Sequence, residues 1–337
     1  MARPGLRVAV IGATGAVGEE IISVLEERKF PVQELRMFAS EASAGTDAEF
    51  RGDHARVELL SSAALAECDL IFCAAPQVLE GLQPALRETG TLLVDVSGAL
   101  ELDPAIPLYL PGAGILGAQD ESSAWLAIPR GVVAGLGLVL APLAREVGLE
   151  RVTALCLEPS SGAGRKGVEE LTQQTLNLLN TMTGEAGEPQ VFPRPLAFDC
   201  LPLVGESLEN GDSSEERRLR HVLRRLLGLP TLLVESTRVR VPIYGGSLAC
   251  VHLRLAEDTS PERARAIWEK QPYLGVLDAE DWPTPREALS TDGVRVGRIR
   301  ATAEGDRSLA CVVAQDDLRY GSALAAVMAA ETLCRLH

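Results

Sequence analysis

The chain has 337 residues, enough for two domains with a sizeable core and no need of a disulfide or metal staple. Apolar residues make up 46% and charged residues 23%, the balance of an ordinary globular protein. A net charge of −15 supplies no basic footprint for nucleic acid, and no window reaches the roughly 18–20 consecutive apolar residues of a membrane span.

In chain order, LRVAVI (6–11) is a short apolar run ending at a glycine, as a buried parallel strand reads, and it argues against a signal peptide. Val17, Ile21, Ile22, Val24 and Leu25 then recur at helical spacing, and Phe30-Pro31 ends that helix. Further strands are expected at LRMFAS (35–40), CDLIFCAA (68–75) and TLLVDVS (91–97), with a helix over 82–88. Strands alternating with helices predict an α/β domain, a Rossmann-like doubly wound parallel sheet. Residues 101–125 are rich in Pro and Gly and read as loop.

The composition changes at AIPRG (127–131), which places a domain boundary near 128–131. An apolar helix over 132–147, a strand at RVTALCLE (151–158) and an amphipathic helix over 168–180 follow. A polar stretch then runs to Gly211, before a charged helix over 213–227 and strands at STRVRVPI (236–243) and LACVHLRLA (248–256). This succession predicts an α+β domain with an antiparallel or mixed sheet. LRYGSALAAVMAAETLCRL (318–336) closes the chain as an Ala-rich helix.

Gly12-Ala13-Thr14-Gly15-Ala16-Val17-Gly18 follows a strand and opens a helix. In that context Gly12 allows a tight turn, Gly15 lets a pyrophosphate approach the backbone, and Gly18 lets helix and strand pack closely. The helix start then faces the anion with its free N–H groups. At the tip of the second strand, Ser40 and Ser43 are placed to reach a ribose or its 2′-phosphate. Glu41 would repel that phosphate, and no Arg stands beside it in the sequence. NADP or NAD is the cofactor expected.

The seven cysteines are scattered and odd in number, as reduced thiols in a cytoplasm would be. With no CxxC pair and only four histidines, no metal site is expected. Cys156 lies two residues before Glu158 on one strand and should share a face with it. His252 sits in an apolar strand pattern and reads as a core or edge histidine, and Arg240 shares a face with Arg238.

GATGAVGEE (12–20), FASEASAG (38–45), LVDVSGALELDPAIPLYLP (93–111), SSGAGRKGVEEL (160–171), RVRVPIYGGS (238–247) and DLRYGSALAAV (317–327) together resemble the aspartate-semialdehyde dehydrogenase family. The resemblance implies an NAD(P)-binding domain over 1–130, a catalytic and dimerisation domain over 131–317, and a final helix, 318–337, packing back on the first. It also implies a homodimer. The family's chemistry is reductive dephosphorylation of an acyl phosphate. A cysteine thiolate forms a thioester, a nicotinamide supplies hydride and a histidine handles the proton.

Carried onto this chain, the nucleophile position is Gly131, the orienting glutamine is Glu158, and the histidine is Ser247. The substrate-binding arginine survives as Arg240, and Glu215 and Arg218 match the charged helix. The phosphate-binding arginine falls on Glu101, that loop's asparagine on Val96, and the arginine of the 2′-phosphate loop on Ala42. No cysteine lies between Cys73 and Cys156 under any register. Losing such a nucleophile costs roughly 10⁴–10⁶ in rate. Glu101 and Glu158 are expected to repel an acyl phosphate.

The chain therefore resembles most the divergent USG-type members that keep the fold without the active-site residues. A family protein inactive in the family reaction, holding a nucleotide, a small molecule or a protein partner, is expected. The alternatives are an active NAD(P)-dependent oxidoreductase on an aldehyde or semialdehyde in amino-acid biosynthesis, and a purely structural subunit. In the first of these Arg240 would hold a carboxylate.

Overall fold

In a computed structural model, which describes residues 5–116, 123–180, 185–303, 305 and 307–335, the chain divides into two compact units. The first comprises residues 1–130 and 321–337, and the second residues 131–320.

The first unit begins with β1 (Leu6–Ile11), whose last four residues are all buried, and α1 (Ala16–Glu27). Next come β2 (Val32–Ala39), a hairpin of β3 (Asp47–Phe50) and β4 (Asp53–Arg56), and β5 (Glu58–Leu59). Then follow α2 (Ser62–Leu65), β6 (Leu70–Cys73), α3 (Pro76–Thr89) and β7 (Leu92–Asp95). Pro76 does not merely end the preceding apolar run. It stands in the first turn of α3, where a missing N–H costs nothing.

The stretch 101–125, read above as loop, holds β8 (Leu108–Leu110), β9 (Gly114–Leu116) and the first residue of β10 (Trp125–Ala127). Three-residue strands are too short to show a period, so only their neighbours in the sheet define them. The sheet order is β5-β2-β1-β6-β7-β10-β8-β9, parallel throughout except for the antiparallel β8–β9 pair. The chain crosses from one side of β1 to the other between β2 and β6, the switch point at which open α/β sheets bind ligands.

The C-terminal segment is not one uninterrupted α-helix. A π-helical stretch, Arg319–Leu324, precedes the α-helix Ala325–Leu333. Ala323 to Val327, Ala329 and Ala330 join Val8, Val10, Ile21 and Leu25 in one core, where small side chains let a helix sit close to the sheet. Arg28 pairs with Glu331 at 2.7 Å. The buried Trp125 indole donates to the Thr91 carbonyl at 3.1 Å under the Arg87 guanidinium, 4.4 Å away.

The second unit opens with α4 (Val132–Glu146), apolar on every side and buried from Val132 to Leu143. After it come β11 (Leu149–Glu158), a short 3₁₀ turn (Ser160–Ala163), α5 (Gly164–Asn180) and α6 (Ser214–Leu227). Ser213 and Glu216 form a capping box at the start of α6, satisfying two otherwise orphaned N–H groups. The chain continues with β12 (Leu233–Arg240), β13 (Ser247–Leu255), α7 (Pro261–Trp268) and β14 (Leu274–Val276). It ends with α8 (Pro285–Ala288), β15 (Val294–Ala301) and β16 (Ser308–Gln315).

The sheet is mixed, in the order β12-β11-β13-β16-β15-β14, with β11–β12 and β14–β15 parallel. No strand is expected from the sequence after residue 256, yet β16 is central and buried along its whole length. The fully buried Trp268 of α7 donates its indole N–H to the Val139 carbonyl of α4 at 2.8 Å.

Candidate functional site

In the first unit the glycine loop connects β1 to α1. Gly12 has φ +84°, a turn that side-chain-bearing residues rarely make. A β-carbon on Gly18 would stand 2.2 Å from the Gly12 carbonyl oxygen, so only glycine lets α1 approach the loop. Gly15 has an ordinary φ of −82° and caps α1 with no side chain over the helix start. Thr14, Gly15, Ala16 and Val17 all remain at least partly accessible. An open helix N-terminus at the carboxyl end of a central parallel strand fits a pyrophosphate. Ser40 and Ser43 lie in the turn after β2, where the Ser43 and Ala44 N–H groups each donate to the Ser40 carbonyl at 2.9 Å.

Glu101 also belongs to the first unit, and it is fully buried. Its carboxylate lies 3.7 Å from Nε of Arg130, whose chain folds against Gly98. The expectation of a free anion at 101 is thus corrected: Arg130 neutralises it.

The second unit gathers the other positions. Gly131 caps α4 with φ +63° and ψ −146°, and a β-carbon there would meet no atom within 4 Å. That combination of angles is close to glycine's own territory. The Gly131 carbonyl accepts a hydrogen bond from Nε2 of Gln315 at 2.6 Å. The same Nε2 donates to Oδ1 of Asp317 at 2.6 Å, and the buried Ser247 hydroxyl donates to that oxygen at 2.7 Å. Burial pushes the Asp317 carboxyl up to about 6, against the two hydrogen bonds that favour its ionised form.

Beside this chain of hydrogen bonds stands an ion-pair network. Arg238 donates to Glu158 and, at 2.8 Å, to Glu215, which also accepts from Arg218 at 2.8 Å. Arg240 lies 3.7 Å from Glu158 and donates to the Pro159 carbonyl at 2.6 Å. Burial pulls the Arg240 guanidinium below its ordinary value, and Glu158 works against that. The repulsion expected from Glu158 is corrected in the same way as that of Glu101. Two guanidiniums, Arg238 and Arg240, share its charge.

Cys156 does share a buried face with Glu158, but burial pushes its thiol up to about 12, so it offers no thiolate near neutrality. The buried thiols of Cys73 and Cys311 are held at about 12 by the same cause. His252 is neither core nor edge. It is exposed on β13, an interior strand between β11 and β16.

Sequence reasoning passed over Gln315, Asp317 and the pairing roles of Arg130 and Arg238. The acidic pair Asp316-Asp317 directly after an apolar run was the available signal for Asp317. Among the described residues no group of His, Cys, Asp and Glu has the arrangement of a metal site. No helix there is long and apolar enough to cross a membrane.

Comparison with known proteins agrees with this geometry. Residues 7–113 match the family model "Semialdehyde dehydrogenase, NAD binding domain", and residues 140–320 match "Semialdehyde dehydrogenase, dimerisation domain". The chain is 35% identical over 334 residues to a USG-1 protein homolog of Azotobacter vinelandii, covering 98% of both chains. It is 36% identical over 337 residues to an aspartate-semialdehyde dehydrogenase of Streptomyces akiyoshiensis, covering 97% of this chain and 98% of the relative. The crystal structure of aspartate semialdehyde dehydrogenase II from Vibrio cholerae complexed with ASA superposes with a TM-score of 0.91 at 30% identity over 98% of each chain. With both domain types matched in order and whole-length likeness to named members, the chain belongs to the semialdehyde dehydrogenase family, among relatives named aspartate-semialdehyde dehydrogenase and USG-1 protein homolog.

Proposed function

We propose that this chain is an aspartate-semialdehyde dehydrogenase-like homodimer that keeps a nicotinamide dinucleotide site and does not perform the family's thioester chemistry. The observation that carries the reading is Gly131. The helix start at which the family resemblance places the nucleophile has no side chain, and its backbone angles favour glycine. The Cys156 thiol, the nearest alternative in sequence, is buried and pushed up to about 12. Ser247 stands at the base position and is spent on Asp317.

Gly12, Thr14, Gly15, Ala16, Val17 and Gly18 would hold the pyrophosphate of NADP or NAD, and Ser40 and Ser43 the adenosine ribose. Bound there, the nicotinamide supplies a hydride donor or acceptor. Glu158 and Glu215 keep Arg238 and Arg240 neutralised and in place. That disfavours direct reduction of a carboxylate-bearing aldehyde held by Arg240, because the guanidinium is already engaged. The family's dimerisation domain and exposed apolar side chains on the second unit, Leu176, Leu179, Phe198 and Leu203, support a homodimer. Seven cysteines outside any disulfide favour a reducing cytoplasm.

The test is an assay with aspartate semialdehyde, phosphate and NADP, beside titrations of NADP and NAD. Binding without turnover is expected. Turnover within about a hundredfold of an ordinary dehydrogenase, at a median kcat of roughly 10 s⁻¹, would overturn the inactive reading.

A further inference from the structure

Ala42 leaves the turn after β2 without a cation of its own, and Glu41 in the same turn is exposed and negative. The fold supplies a cation from elsewhere. The β3–β4 hairpin returns the chain alongside this turn. The Gly45 N–H donates to the Val57 carbonyl at 2.8 Å, and the Val57 N–H donates to the Thr46 carbonyl at 2.8 Å. These bonds bring Arg56, the last residue of β4, over Gly45. Its Nη2 lies 3.5 Å, and its Nε 4.0 Å, from where a β-carbon on Gly45 would stand.

The other arginines on these strands are committed. Arg36 pairs with Glu58 and Glu67, and Arg51 donates to the Phe30 and Val32 carbonyls while lying over Phe50. Among the described residues, Arg56 is exposed and makes no ion pair, not even with Asp47, its cross-strand neighbour. The side chains of Ser40 and Ser43, in the same turn, hydrogen-bond to no protein group among those residues. The guanidinium thus lies over Gly45, at the end of the turn that carries the two hydroxyls, where a Rossmann-type sheet places the adenosine ribose.

The geometry points to Arg56 as the residue that recognises the 2′-phosphate of NADP, replacing from the hairpin the cation that the turn itself lacks. This rests on the reading of the glycine loop as a dinucleotide site. A guanidinium fits such a phosphate with two parallel charge-assisted hydrogen bonds, while NAD offers it only a hydroxyl. Glu41 and Asp47 oppose the anion, so the preference depends on Arg56 being present.

The experiment is calorimetric titration of the full chain with NADP, NAD and inorganic phosphate, repeated on Arg56→Gln and Arg56→Lys. Wild type is expected to bind NADP roughly tenfold or more tightly than NAD. Arg56→Gln should lose that preference and keep its NAD affinity within about twofold, with Arg56→Lys between the two. Free phosphate should bind far more weakly than NADP, because the rest of the dinucleotide orients the group. Equal wild-type affinities for NADP and NAD, or a preference that survives Arg56→Gln, would overturn the assignment and leave the dinucleotide site standing. Phosphate binding as tightly as NADP would show a bare anion site and overturn it too. If neither nucleotide binds, the dinucleotide reading and this assignment both fall.

Discussion

The Ser247 hydroxyl donates to Oδ1 of Asp317 at 2.7 Å, deep enough that the carboxyl is pushed up to about 6. The folded state thus prefers Asp317 protonated. Below about pH 4 the group is protonated both folded and unfolded, so it contributes nothing. Between about pH 4 and 6 the unfolded chain releases a proton that the folded chain holds, and stability falls as pH rises across that window. Above pH 6 the full cost, about 3 kcal/mol, is present. Asp317→Asn keeps an Oδ1 to accept from Ser247 and Gln315 without a charge. It should be more stable than wild type at pH 8 by up to that amount and nearly equal to it at pH 3. Urea midpoints at the two pH values decide the matter, and an equal gain at both would refute the titration argument.

Glu158 balances two buried guanidiniums. Glu158→Gln leaves Arg238 with only Glu215 and leaves Arg240 without its carboxylate. Breaking a buried pair in this way typically costs about 3–5 kcal/mol, because the remaining charge stays desolvated. Chemical denaturation of the variant measures it. A change below about 1 kcal/mol would mean that the network is solvated and contributes little.

Gly131→Cys returns a thiol to the start of α4. The side chain has room, but φ +63° with ψ −146° strains any residue with a β-carbon. A loss of about 1–3 kcal/mol is expected. No turnover with aspartate semialdehyde and NADP should appear, since Ser247 cannot serve as the histidine does. Full activity from this single change would sink both parts.

Gly18→Ala drives a methyl group to 2.2 Å from the Gly12 carbonyl oxygen. The helix must move, at a cost of about 1–3 kcal/mol. A lowered melting temperature together with lost NADP binding is the expected pair. If binding persists unchanged, the loop does not hold the nucleotide.

The signals that sequence carries are local, and the legible elements were those with local signals. β1 reads from its unbroken apolar run, α1 from apolar residues at helical spacing, and the loop between them from its glycines. β8, β9 and the run β14–β16 did not read. Their strand character comes from neighbours far away in sequence, and SLACVVAQ (308–315), buried on both faces, has no period to detect. The same limit applies to the candidate site. Charges at 101 and 158 were visible, but Arg238 lies 80 positions from Glu158 and only the fold shows that it neutralises it. Arg56 was invisible as a neighbour of Gly45 until the hairpin returned it.

Each unit holds one buried tryptophan in a different bond. Trp125 serves the first through Thr91 and Arg87, and Trp268 serves the second through Val139. The third, Trp282, is 64% exposed, so its emission should be that of an indole in water. Replacing Trp282 and one buried indole in turn with Phe yields two single-emitter proteins. In these the melting of the nucleotide unit and of the dimerisation unit can be watched separately, by colour, in one unlabelled chain.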